Sequence, residues 1–61
     1  MPIVRGEMWP GRTHEQKQKL AKAITDAMVE IGKTTPEATL IVFEDVDKSN
    51  WAQSGILASD V

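Results

Sequence analysis

The sequence predicts an α+β fold, a single β-α-β unit with a short C-terminal hairpin. Three observations carry that prediction. Residues from Pro2 to Met8 alternate in character, a helical repeat of apolar residues follows Thr13, and Thr39-Leu40-Ile41-Val42-Phe43 is a β-rich apolar run. A strand, a helix and a second strand imply a right-handed crossover, with the strands parallel and the helix on one sheet face.

In the first segment Pro2, Val4, Gly6 and Met8 fall on one side and Ile3, Arg5 and Glu7 on the other, the period of a strand. Trp9-Pro10-Gly11-Arg12 breaks that period with turn chemistry. Thr13-His14-Glu15-Gln16 then has the form of a capping box, so a helix starts there. Leu20, Ile24, Met28 and Ile31, with Ala21 and Ala27 beside them, make its apolar stripe. Its outer face is charged and includes Glu15 and Lys19 at i, i+4, and Gly32 offers a stop. The run from Thr39 to Phe43 is apolar at consecutive positions, as in a strand covered on both faces. Glu44 to Asn50 reads as an acidic turn, and Trp51 to Leu57, interrupted by Ser54-Gly55, as a hairpin or edge segment.

A chain of 61 residues is one domain, 1–61, and a domain of that size buries only about 60% of the surface its unfolded form exposes. With no Cys and one His, neither disulfides nor a metal cluster can reinforce it. Self-association remains, and one helix can cover only one face of the sheet, so a homo-oligomer is expected. The net charge of −2 and the scattering of seven Lys and Arg residues exclude a nucleic-acid surface. No apolar run reaches the roughly 20 residues of a membrane span and no leader is recognisable, so the expected compartment is the cytoplasm.

The chemistry starts at Met1-Pro2. Initiator methionine is generally removed before a small residue, which would leave Pro2 with a free secondary amine. An α-amino group has a reference pKa near 7.7 to 8.0, and an apolar setting or a nearby cation favours its neutral, proton-abstracting form. A proline that merely begins a strand is the plain alternative. His14, just after a helix cap, points to water, and Asp45 and Asp47 lack the further ligands a metal would need.

Pro2-Ile3-Val4, Gly11-Arg12-Thr13, Glu15-Gln16-Lys17, Trp51 and Gly55 together resemble the 4-oxalocrotonate tautomerase family over nearly the whole chain. The resemblance implies β-α-β protomers paired into dimers and assembled into a hexamer, a trimer of dimers. It also implies keto-enol tautomerisation of a small 2-oxo acid in aromatic-compound catabolism, without metal or organic cofactor. By position, Pro2 corresponds to the catalytic proline, Arg12 to the arginine that binds a substrate carboxylate, and Trp51 to an aromatic of the pocket. Arg suits its role because its planar fork meets a carboxylate through two hydrogen bonds. Trp9 reads as a bulky apolar rim that enlarges and dries the substrate pocket.

Two departures accompany the likeness. The family's second arginine corresponds to Leu40, which removes half of a carboxylate clamp and favours a monoacid or aryl-pyruvate enol over a dicarboxylate. Arg5 does not replace it, because Glu7 is near enough to pair with it. Gln53 stands where the related dehalogenases and hydratases have an acid, and an amide cannot act as a general base. The alternatives to a competent enzyme are a catalytically degenerate scaffold and one subunit of a heterohexamer whose partner supplies the arginine.

Overall fold

Met1 to Val61 are all described in the structure, a computed structural model. Strand β1 (Ile3–Met8) leads through a loop into helix α1 (His14–Glu30), and the chain returns along strand β2 (Leu40–Asp45). A 3-10 turn at Lys48–Asn50 precedes the short strands β3 (Ala52–Gln53) and β4 (Ile56–Leu57), and a second 3-10 turn spans Ala58–Asp60.

The pairing of β1 with β2 is parallel, with Ile3 opposite Leu40 and Met8 opposite Asp45. The ladder extends beyond both ends: the Leu40 N–H donates to the Pro2 carbonyl at 3.0 Å and the Val46 N–H to the Met8 carbonyl at 2.8 Å. Side chains alternate across the sheet. Val4, Gly6, Met8, Ile41 and Phe43 are half-buried, whereas Ile3, Arg5, Glu7, Leu40, Val42 and Glu44 are exposed on the opposite face.

Helix α1 begins as its sequence requires. The Thr13 hydroxyl accepts from the Gln16 N–H at 3.1 Å, and the Gln16 side-chain oxygen accepts from the Thr13 N–H at 2.9 Å. Glu15 and Lys19 form the expected ion pair at 3.2 Å. The half-buried face runs through Lys17, Ala21, Ile24, Thr25, Met28 and Val29. The predicted stripe therefore needs correction at both ends, because Leu20 is 38% and Ile31 79% exposed. Rotation of the contact line toward Thr25 and Val29 leaves Leu20 about 100° from its centre on a helix of 3.6 residues per turn.

The helix stops for a different reason than a left-handed glycine. Lys33, not Gly32, takes the positive φ, at 57°. Gly32 is instead required by proximity, since a Cβ there would lie 2.6 Å from the Met28 carbonyl oxygen. Strand β2 starts one residue later than the sequence indicates and continues through Glu44 and Asp45, which read as turn residues. Asp45 is accommodated because Lys17 of α1 meets its carboxylate at 2.8 Å, and this pair ties the helix to the sheet. The Ser54-Gly55 interruption is a two-residue hairpin turn with both φ angles positive, 55° and 78°, the geometry that matches strand twist.

No hydrophobic side chain is fully buried, and Thr39, whose hydroxyl donates to the Thr35 carbonyl at 2.7 Å, is the one buried residue. The accessible surface is 4835 Å², against about 3900 Å² for a compact monomer of this mass. The radius of gyration is 14.5 Å, against about 10.5 Å for a compact chain of this length. The excess is roughly the 800 Å² that one partner contributes to a standard interface. The uncovered sheet face, with Ile3 51%, Leu40 43% and Val42 40% exposed, is its most concentrated apolar part.

Stability should therefore depend on protein concentration. Calorimetry over a hundredfold dilution series is expected to show a falling Tm, whereas a constant Tm would mean that the protomer is stable alone. Gly32→Ala should destabilise by about 1–3 kcal/mol, because the new methyl group forces the turn out of its present path. Chemical denaturation at fixed concentration measures it.

Candidate functional site

Pro2 lies at the leading end of the sheet, half-buried and joined to β2 through its carbonyl. Met1 before it is 85% exposed and outside the ladder, so its removal would cost the fold little. Leu40 and Ile3, opposite one another in the register, place apolar surface next to Pro2. Arg5 stands on the uncovered face without a carboxylate partner, and the predicted pairing with Glu7 does not form. Residues two apart on one strand point the same way with about 7 Å between them, too far for contact without bending toward each other.

At the trailing end of the sheet the chain gathers a second set. Gly11 has φ 123°, open to glycine and strained for other residues, and it turns the loop so that Arg12 folds back on Trp9. The Arg12 guanidinium donates to the Trp9 carbonyl at 3.1 Å. That bond uses one of five N–H donors and leaves the rest of the fork available. The Trp9 and Trp51 rings meet edge to face, with centroids 6.0 Å apart and planes at 75°. The Lys48 ammonium lies 4.8 Å from the centre of the Trp9 ring, within the range of a cation–π contact.

The two indoles wall an open cleft. On one side it is a recess of about 220 Å³ bounded by Met8, Trp9, Arg12 and Trp51. On the other it is a recess of about 330 Å³ reaching Gln53, Ser54, Ile56, Ala58 and Val61. A larger groove of about 420 Å³ runs from Arg12 along Gln16, Lys17, Lys19 and Leu20. Its lysines are already neutralised by Asp45 and Glu15, so the aromatic cleft is the better candidate for an organic anion.

Thus Arg12, Trp9 and Trp51 come together within one protomer, and Pro2 does not join them. The six residues of β1 separate the two sets by about 20 Å, at roughly 3.3 Å per residue. The contact of Lys48 with the Trp9 ring was not disclosed by the sequence, since no spacing rule links residues 9 and 48. His14 is exposed at the first turn of α1, and no three acidic or His side chains converge as a metal site. No helix is long and apolar enough to cross a membrane.

Residues 2–60 match the family described as tautomerase enzyme. A probable tautomerase of Ralstonia nicotianae is 37% identical over 57 residues, covering 93% of this chain and 88% of the relative. The 2-hydroxymuconate tautomerase of Bacillus subtilis is 34% identical over 61 residues, covering 100% and 98% of the two chains. Among solved structures, YwhB, a homologue of 4-oxalocrotonate tautomerase, superposes with a TM-score of 0.94 at 33% identity, covering 98% of each chain. Sequence and fold agree over the full length: the chain belongs to the tautomerase family, as an isomerase of the 4-oxalocrotonate tautomerase type.

Proposed function

We propose that this tautomerase interconverts the enol or dienol and keto forms of a small 2-oxo acid, with Pro2 as the general base. Residues 1–61 act as one tautomerase-like domain, assembled as a homohexamer, a trimer of dimers, in the cytoplasm. The observation that carries the reading is the aromatic cleft with Arg12 at its mouth, in a chain of a proton-transferring family whose second residue is proline. The sheet face left bare by α1 supports association. The 20 Å between Pro2 and the cleft supports a site completed between protomers, with Pro2 of one facing the Arg12, Trp9 and Trp51 of another.

With Met1 removed, the Pro2 nitrogen is a secondary amine. It takes the proton from the enol oxygen and returns it to carbon as the carbonyl forms, so the reaction is isomerisation with no net consumption of acid or base. Arg12 binds the substrate carboxylate and stabilises the negative charge that spreads over the dienolate. Trp9 and Trp51 exclude water from the reacting carbons. The chemistry proposed needs neither metal nor organic cofactor. That a Bacillus subtilis relative carries the name 2-hydroxymuconate tautomerase supports a substrate of this size and a place in the breakdown of aromatic compounds.

Ketonisation of phenylenolpyruvate and of 2-hydroxymuconate, followed spectrophotometrically, tests the roles. Pro2→Ala should lower kcat by about 10²-fold or more, the usual contribution of a positioned base. Arg12→Ala should lower kcat/KM by about 10–100-fold, as loss of a charged hydrogen-bond donor does. Equal rates for Pro2→Ala and wild type would remove the proline from the mechanism. Intact-mass spectrometry of the active protein should show the methionine absent, because a retained Met1 makes the Pro2 nitrogen an amide with no basicity.

A further inference from the structure

The aromatic cleft has one wall anchored through its backbone and one whose ring is free to turn. Trp51 is held on both sides: its N–H donates to the Lys48 carbonyl at 3.3 Å, and its carbonyl accepts from the Ala58 N–H at 2.7 Å. Trp9 lies just past the end of β1, where Pro10 confines its backbone to extended conformations and the Arg12 guanidinium donates to its carbonyl at 3.1 Å. Neither restraint acts on the indole, which is 40% exposed and turns about two side-chain bonds. The ring meets that of Trp51 at 6.0 Å and the Lys48 ammonium at 4.8 Å, centre to centre and nitrogen to centre. Lys48 therefore reaches both walls, with its carbonyl on Trp51 and its ammonium on Trp9. It lines neither aromatic recess, and no carboxylate pairs with it in the protomer.

We propose that Lys48 is a positioning residue: acting through Trp9, its ammonium holds the indole at its angle to Trp51 and so keeps the apolar wall that meets the organic part of the substrate. Lys48 itself touches no substrate. Its hold depends on charge, since a cation is drawn to the electron-rich face of an indole. The stem starts from a fixed point, because the 3-10 turn at Lys48–Asn50 is closed by the Asn50 N–H on the Asp47 carbonyl at 2.8 Å and by the Trp51 N–H on the Lys48 carbonyl. One short turn thus sets the Trp51 backbone and the Trp9 ring together. The catalytic meaning of this role rests on the proposed tautomerisation, whereas the ring contact does not.

Trp51→Phe leaves Trp9 as the only tryptophan, so its fluorescence then reports the contact. In that background Lys48→Met, which keeps an apolar stem and removes the charge, should shift the Trp9 emission and raise its quenching by acrylamide. Lys48→Arg should return both toward the values with Lys48, because a guanidinium also packs on an indole face. Lys22→Met makes the same charge change on the outer face of α1 and should alter neither. With Trp51 retained, Lys48→Met should weaken binding of cinnamate, an aromatic monoacid that cannot tautomerise, by about two- to fivefold in calorimetry, the size of an exposed cation–π contact. KM for phenylenolpyruvate should rise by the same factor, with kcat changed by less than about twofold because Pro2 and Arg12 are untouched. Unaltered emission and quenching in Lys48→Met, no recovery in Lys48→Arg, or undiminished cinnamate binding overturns the proposal. The expected fluorescence and cinnamate changes in a protein that turns over neither enol would sustain the positioning role and overturn the proposed reaction. Turnover with unaltered fluorescence would do the reverse.

Discussion

The structure depends on one constraint: a two-stranded sheet has two faces, and this chain has one helix to cover them. On the covered face, Ala21, Ile24 and Met28 of α1 lie over half-buried residues of the strands, and the Lys17–Asp45 pair fixes one end of the contact. On the other face Ile3, Leu40 and Val42 remain open to water, with Arg5 and Glu7 beside them. A protomer without a fully buried hydrophobic residue has little burial to set against the entropy of ordering 61 residues, roughly 1–2 kcal/mol each for the backbone alone. The open apolar face is what supports the proposed association.

The same constraint shapes the proposed chemistry. Parallel pairing fixes β1 and β2 in register, so Pro2 is confined to one end of the sheet and the Trp9–Arg12 loop to the other. One protomer cannot bend to join them, because the ladder runs unbroken from Pro2 to Val46. The proposed base and the proposed anion-binding cleft, held this rigidly apart, would be joined by a partner that brings its own set alongside. In that arrangement the assembly that covers the apolar face also completes the site, and stability and activity respond to the same contacts.

Much of this was legible in the residues, for identifiable reasons. The Thr13–Gln16 box, the alternation of β1 and the Ser54-Gly55 turn depend on neighbours within four positions, and all three appear as read. What the sequence concealed depends on tertiary contact. Leu20 and Ile31 fit the helical stripe but lie off the line that meets the sheet. Glu44 and Asp45 look like turn residues until Lys17, 28 positions away, is placed against Asp45. Gly32 reads as a left-handed stop, whereas its missing Cβ makes room for the Met28 carbonyl. In the cleft, Arg12 and Trp51 were identifiable by resemblance and Trp9 as an apolar rim, whereas the contact of Lys48 with the Trp9 ring depends on how the loop before Trp51 folds.

The central claim is that the proline of one protomer works with the arginine and indoles of another. Pro2→Ala and Arg12→Ala proteins, each impaired alone, can be unfolded together, refolded as a mixture and assayed for ketonisation. If each site draws Pro2 and Arg12 from different protomers, random mixing should restore about a quarter of the wild-type sites, since one chain supplies an intact proline and the other an intact arginine. Activity in the mixture no greater than the mean of the two separate variants, in assemblies shown to contain both chains, would contradict the account.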